Sequence, residues 1–303
     1  MRKVAVTVHQ LRPAAQEAAA EFVAELSRAG FVCLLDSDAR SLVEGSVPEA
    51  AVEALETADG AELAVVFGGD GNILRAAEWA LPRSVPVLGV NLGHVGFLAE
   101  LESSELGTLI ERVINRDYQV EQRLSVECVL RDKPGGKEIW RSFAVNECSV
   151  EKRARERMLE VLVRIDDRAL SRWATDGVLV STPTGSTAYA FSAHGPVIWP
   201  EVEALLLVPL SAHALFNRPL VLGTDSVVKI EVLPATSGGL IWCDGRRTAQ
   251  IDDGMELEVH AGRERLLLAR THEQPFVTRL VRKFGLPVDG WRGAAERDEI
   301  HAK

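Results

Sequence analysis

At 303 residues and 47% hydrophobic content, the chain is long enough for two ordinary domains with cores of their own, and disorder is not its default. A formal net charge of -10 excludes the basic surface that nonspecific nucleic-acid binding requires, though not a small anionic ligand held by a few local arginines. No window approaches roughly eighteen apolar residues without a charge, so a membrane partner is not expected and the protein reads as cytoplasmic.

Met1 to His9 opens with a short strand, Val4 to Val8, rather than a signal peptide. Ala14 to Ala29 reads as an alanine-rich helix with Phe22, Val23 and Leu26 on its inner face, closed by Gly30. Phe31 to Leu35 returns as strand, and a weaker helix follows Pro48. Next come a strand from Leu63 to Phe67, a helix from about Asn72 to Trp79, and a strand from Val85 to Val90. Strands alternating with helices mean crossover connections and a parallel sheet, whose ligands sit beyond the carboxyl ends of its strands.

The strand at Leu63 ends abruptly in Gly68-Gly69-Asp70-Gly71-Asn72. Glycines turn the backbone sharply and bring bare N–H groups close to a ligand, and the start of the following helix favours negative charge, so the junction suits phosphate. A carboxylate beside a polyphosphate is repelled unless it holds a metal ion or faces a hydroxyl whose proton must be taken, and both are tasks for a phosphotransferase. Asp-Gly is also a common turn dipeptide, and the pattern is neither GxGxxG nor a P-loop. A second glycine-rich turn, Asn91-Leu-Gly-His-Val-Gly96-Phe97-Leu98, follows the next strand.

After a helix near Glu105 to Asn115 the period changes to two. Leu124, Val126, Cys128 and Leu130 alternate with polar residues, as do Val161, Val163, Ile165, then Val228, Ile230, Val232, then Leu257 and Val259. Antiparallel sheet joined by hairpins follows. The expected domains are 1–117, α/β; 118–271, β-rich; and 272–303, a last amphipathic helix from Pro275 to Phe284 returning to the first domain, then a loose polar tail. The four cysteines, Cys33, Cys128, Cys148 and Cys243, stand far apart in sequence without a CxxC pair and read as small buried hydrophobes. Three polar insertions stand out in the β-rich half. Asn146-Glu147 ends one strand; Ser181 to Thr187 supplies hydroxyls and N–H donors at a helix start; Asp244-Gly245 reads as a hairpin turn.

Taken together, these motifs resemble the NAD kinases: GGDG at 68–71, GVNLGHVGFL at 89–98, Asn146-Glu147, DGVLVSTPTGSTAY at 176–189, AHALFNRP at 212–219 and the Asp244-Gly245 hairpin. The resemblance implies an α/β N-terminal domain with a parallel sheet and a mostly β C-terminal domain, a NAD kinase/diacylglycerol kinase-like fold. It implies transfer of the ATP γ-phosphate to the 2'-hydroxyl of the NAD adenosine ribose, with Mg2+ or another divalent cation accompanying ATP, in a homodimer or homotetramer. Asp70 matches the family's proton acceptor. Gly68, Gly69, Gly71 and Asn72 match its phosphate turn. Asp70, Gly71, Arg75, Asn146, Glu147, Arg157, Asp176, Thr187, Ala188, Tyr189, Ser192 and Arg246 fall at or near NAD-contacting positions. Asn72 replaces the family's usual threonine, and Arg246 stands where many relatives have glutamine. The first implies altered phosphate positioning; the second bears on donor preference and NADH tolerance. GGDG alone also permits a lipid or sugar-alcohol kinase, and the dinucleotide motifs alone permit a non-catalytic NAD sensor.

Overall fold

The computed structural model describes residues 1–44, 47–48, 51–57, 59–90, 96–99, 106–153, 157–234, 238–272 and 275–287. It divides into two compact units: Met1–Ala80 with Val85–Glu121 and the chain from Leu268, and Leu81–Ser84 with Gln122–Leu267.

The first unit is built on β1 (Lys3–Val8), β2 (Val32–Leu35), β3 (Val52–Ala54), β4 (Leu63–Phe67), β5 (Val87–Val90), β6 (Gln119–Arg123) and the late strand β19 (Leu266–Arg270). They form one sheet in the order β3-β2-β1-β4-β5-β19-β6, with β3 through β5 paired in parallel. Helices α1 (Pro13–Arg28), α2 (Ser37–Val43), α3 (Asp70–Ala80) and α4 (Leu106–Asn115) accompany it. Because helices cover both faces, β4 is buried at every position and reads as an unbroken apolar run. Phe22 of α1 meets Phe67 of β4 edge-on at 5.4 Å in the core. Strand order reverses about β1, so β1 and β4 flank the crevice where ligands of such sheets bind.

Among the described residues no α-helix directly follows Pro48, where one is expected. Val52–Ala54 pairs with β2 as the edge strand β3, and the helix lies earlier, at α2, because the Asp36 carboxylate caps it by accepting the Ala39 N–H at 2.9 Å.

The second unit is a pair of six-stranded antiparallel sheets. Its strands are β7 (Val126–Arg131), β8 (Glu138–Ala144), β9 (Glu147–Lys152), β10 (Leu159–Ile165), β11 (Arg168–Thr175), β12 (Gly177–Ser181), β13 (Ala204–Leu210), β14 (Leu220–Gly223), β15 (Val228–Val232), β16 (Gly239–Cys243), β17 (Arg247–Ile251) and β18 (Glu256–Ala261). The sheets run β11-β10-β15-β18-β7-β8 and β14-β13-β12-β9-β16-β17. Alternate residues of both, such as Leu130, Val150, Val161, Trp173, Val180 and Leu257, make a common core. The outer face of β12 and β13 is covered by Ala190 and Ile198 from the loop between them, which is why β13 has no exposed residue. That loop carries the Ser/Thr-rich motif. The final helix, α6 (Phe276–Phe284), belongs to the first unit.

Candidate active site

In the first unit, β4 delivers Gly68-Gly69 and α3 begins on Asp70. The Gly68 N–H donates to the Val90 carbonyl at 2.9 Å, tying the turn to β5. The Asn72 side chain lies over Gly68, where an added Cβ would stand 2.7 Å from Asn72 Cγ. Asp70 is half-buried, and both its oxygens accept backbone hydrogen bonds from the second glycine-rich turn: Oδ2 from Phe97 N–H at 2.9 Å and Oδ1 from Leu98 N–H at 3.0 Å. Gly96 makes this approach possible, since a Cβ there would overlap Oδ1. Gly69 and Gly71 face open space. The turn therefore presents bare backbone and one oriented carboxylate, which has no cationic partner among the described residues.

In the second unit, the site hangs on Asp244. It begins the turn joining β16 to β17, with φ of 53° followed by 64° at Gly245, and the Arg246 N–H closes the turn on the Cys243 carbonyl at 3.0 Å. Its buried carboxylate accepts the Val145 N–H at 3.0 Å, the Asn146 N–H at 2.7 Å and Arg247 Nη2 at 2.9 Å. These bonds fix the strand end that carries Asn146 and Glu147. The Asn146 carbonyl accepts from Thr182 N–H at 2.9 Å and from Ser181 Oγ at 3.0 Å, while its side-chain amide bonds to no described residue. Burial, then the neighbouring Asp244 charge, push the Glu147 carboxyl up to about 8 against the pull of the Tyr189 N–H. Burial likewise raises Asp244, opposed by the Val145 and Asn146 amides and by Arg247. Glu147 Oε2 and Thr184 Oγ1 are buried with no hydrogen-bond partner among the described residues, the condition that a ligand's hydroxyls relieve.

A polar cavity of about 560 Å³ in the same unit is lined by Asp176, Tyr189, Ser192, His194, Asn217 and Arg218 among others. Asp176 pairs with Lys152 at 2.5 Å. Burial, then the charges of Glu151, Glu147 and Asp176, raise the Tyr189 phenol.

Two family models cover most of the chain: the ATP-NAD kinase N-terminal domain matches residues 4–118 and the ATP-NAD kinase C-terminal domain residues 145–271. The chain belongs to the ATP-NAD kinase family. Among its relatives, the NAD kinase of Cutibacterium acnes is 50% identical over 301 residues, covering 99% of this chain and 94% of the relative. NAD kinase 2 of Streptomyces coelicolor is also 50% identical, over 97% of this chain and 98% of its own length. Among solved structures, yeast NADH kinase complexed with NADH superposes with a TM-score of 0.85 at 25% identity, covering 95% of this chain and 89% of that one. An NAD kinase from Archaeoglobus fulgidus in complex with ATP shares the fold at a TM-score of 0.68, covering 94% of this chain and 98% of that one.

The residues that resemble NAD kinase sites fall into two groups in this family member. Gly68, Gly69, Asp70, Gly71 and Asn72 form the turn of the first unit; Asn146, Glu147, Asp176, Tyr189 and Ser192 gather in the second. Arg75 is exposed on α3, and its guanidinium lies 3.8 Å from Asp38. Arg157 and Arg246 are exposed at loop positions. Residues 91–95 of the second glycine-rich motif, and the tail from 288, lie outside the described residues.

Of the hydroxyls expected from Ser181 to Thr187 at a helix start, the fold itself uses most. Thr184–Thr187 is a 3-10 turn followed by a single α turn, α5 (Tyr189–Ser192). Most of its hydroxyls face inward: Ser181 Oγ and Thr182 Oγ1 donate to the Asn146 and Val145 carbonyls, and Ser186 Oγ donates to Pro183 O and accepts the Ile198 N–H. Their work is to fold a loop over a buried sheet face, where unsatisfied backbone is costly. Sequence reasoning left Asp244 as a turn residue and gave Arg247, His194 and Asn217 no role; an Asp-Gly turn dipeptide directly before two arginines was the available signal.

A divalent cation fits these residues only as an ion carried by ATP. Among the described residues no three carboxylates or histidines converge, and magnesium is normally held by substrate phosphates with one or two carboxylates.

Proposed function

We infer that this protein is an NAD kinase, transferring the γ-phosphate of ATP to the 2'-hydroxyl of the NAD adenosine ribose to give NADP. The observation that carries the reading is the ordered Gly68-Gly69-Asp70-Gly71 turn, with its carboxylate oriented by two backbone N–H groups, in a chain matched by both ATP-NAD kinase domains.

Phosphoryl transfer has a loose transition state, so the protein's task is to align the hydroxyl with the phosphorus and stabilise charge on the transferring oxygens. A carboxylate offers about four lone-pair sites. The Phe97 and Leu98 amides take two of those on Asp70, which leaves the others to hold the ribose hydroxyl and accept its proton late in the step. The open backbone at Gly69 and Gly71 receives phosphate oxygens without steric cost. A magnesium ion bound with ATP would supply further charge neutralisation. In the second unit, Asn146, Glu147, Asp176, Tyr189 and Ser192 bind the dinucleotide, with Asp244 holding the first two in place. Thr187 and Ala188 hold the nucleoside together with Tyr189 and Ser192, and Arg75, Arg157 and Arg246 serve as outlying contacts.

A homo-oligomer, dimer or tetramer, completes the reading. Leu215, Phe216, Val221 and Trp199 are large apolar residues left exposed on the second unit, and β14 is an edge strand. No helix among the described residues is long and apolar enough to cross a membrane, in keeping with a cytoplasmic enzyme.

The test is direct. Purified protein with NAD and MgATP makes NADP, and Asp70→Asn lowers turnover at least about a hundredfold, the usual size of a general-base loss, with little change in NAD binding. A near wild-type rate for Asp70→Asn removes Asp70 from that role. NAD binding by calorimetry without turnover of any phosphoryl donor would mean a sensor, and turnover of a lipid or sugar alcohol instead of NAD a different kinase.

A further inference from the structure

The three cysteines of the second unit, scattered in sequence, are reunited by the sandwich. Cys148 of β9 stands opposite Cys243 of β16. The adjacent pair carries the Asp244 N–H to Glu147 carbonyl bond at 3.0 Å, so Cys148 and Cys243 occupy the non-hydrogen-bonded position, where side chains stand closest. Cys128 arrives from β7 in the other sheet. All three are buried, and their sulfurs lie within 4.8 Å of one another. Three atoms so placed always leave some point no more than 4.8/√3, or about 2.8 Å, from every one of them. Closing to a metal–sulfur length of about 2.3 Å then needs a shift of only about half an ångström per sulfur. Arg247, which stands opposite Cys243 in the β16–β17 pair, donates through Nε to Ser142 Oγ at 3.2 Å and so brings a cation near the cluster.

We propose that Cys128, Cys148 and Cys243 form a buried structural site for one soft, thiophilic cation. Three sulfurs without an oxygen donor exclude magnesium and calcium and select Cu+ or Zn2+. Zinc favours a fourth ligand, and no further His, Cys, Asp or Glu joins the group among the described residues, so the donor set favours Cu+. The ion enters as the sandwich closes, because the three thiols are sealed from solvent in the folded protein.

Elemental analysis of the full chain, purified without chelator and also refolded anaerobically with Cu+ or with Zn2+, is expected to find about one ion per chain. The two refolding arms identify the metal. Cys128→Ala abolishes binding, whereas Cys33→Ala, in the other unit, retains it. Under about a tenth of an ion in every preparation, binding that survives Cys128→Ala, or a chain mass two hydrogens low from a Cys148–Cys243 disulfide overturns the proposal. If Cys128→Ala does not fold, the wild-type chain decides by its metal content and by whether the ion is released only on denaturation.

A different set of contacts bears on the reaction itself. The Phe97–Leu98 segment, whose N–H groups hold Asp70, is gripped through its carbonyls by two buried arginines. Arg279 Nη1 of α6 donates to Phe97 O at 2.7 Å, and Arg270 Nη1 of β19 donates to Leu98 O at 2.9 Å. Their residues are 5% and 4% exposed. Phe276 and Phe284 of α6 clamp the Phe97 ring at 5.8 and 6.0 Å. Burying two guanidinium groups costs more than an apolar filler would, so a fixed position for this peptide is what they supply. The geometry assigns Arg279 and Arg270 as positioning residues that set the direction of the Asp70 carboxylate, a role that rests on Asp70 being the proton acceptor.

Arg279→Met is expected to lower kcat at least about tenfold while KM for NAD stays within about twofold, with partial recovery in Arg279→Lys. A folded Arg279→Met enzyme with unchanged kcat overturns the assignment. The base reading fails separately, through an active Asp70→Asn enzyme. Should Arg279→Met not fold, Arg270→Lys, which keeps the charge and loses the fork, reads the same split.

Discussion

Arg247 donates to Asp244 at 2.9 Å, and the Asp244 side chain has no exposed surface at all. The same carboxylate binds the Val145 and Asn146 amides, so one ion pair holds both a hairpin turn and a candidate NAD-binding strand end. Arg247→Met leaves a buried carboxylate without its counter-charge, a loss of about 3 kcal/mol for a broken buried pair. The expected result is a thermal midpoint lowered by several degrees with a raised KM for NAD. An unchanged melt in Arg247→Met would show the pair to be dispensable.

Gly96→Ala places a methyl group where Asp70 Oδ1 sits. The carboxylate must turn away from the Phe97 and Leu98 amides, orphaning two donors at about 1 kcal/mol or more each. Steady-state assays of Gly96→Ala are expected to show kcat reduced at least about tenfold, from the misplacement of one group. Wild-type kcat in that variant would mean that the two amides do not set the working direction of Asp70.

Glu147 carries a pH signature. Its carboxyl is raised to about 8 in the fold, chiefly by burial, so its contribution to stability is fully present below the unfolded carboxylate range and is lost as pH rises through about 8. Melting temperatures from about pH 5 to pH 8 should therefore fall in the wild type relative to Glu147→Gln, which has no proton to lose there. Parallel curves for the two proteins contradict a raised Glu147.

Asn146 separates folding from binding at one position. Its backbone N–H and carbonyl carry the structural bonds, whereas its side-chain amide bonds to no described residue. Asn146→Ala is expected to melt within about 0.5 kcal/mol of wild type, as for substitutions away from structural features. Its KM for NAD should rise about tenfold, worth one hydrogen-bonded contact. Calorimetry showing undiminished NAD affinity would assign the dinucleotide to other residues.

Fold class was legible because burial on two faces leaves a pattern. The run Leu63 to Phe67 could only be a covered strand, and the alternation at Val161, Val163 and Ile165 only a half-covered one. The stretch after Pro48 misled because helix propensity spoke there while the cap that places the helix, Asp36, stood a dozen residues earlier. Hydroxyls of the Ser181 to Thr187 run looked available because sequence does not say which backbone carbonyls need donors; the Asn146 and Val145 carbonyls do.

Local order along the chain determined the strand–turn–helix at Asp70, the two kinds of sheet and, through its motifs, the family, since each depends on residues a few positions apart. Only tertiary structure decided which groups meet across long separations: Asp70 with the Phe97 and Leu98 amides, Asp244 with Asn146, Arg279 with Phe97 and the three cysteines with one another. Those encounters are set by sheet pairing and by the need of each buried donor, acceptor and charge for a partner, a condition that no periodicity in the chain expresses.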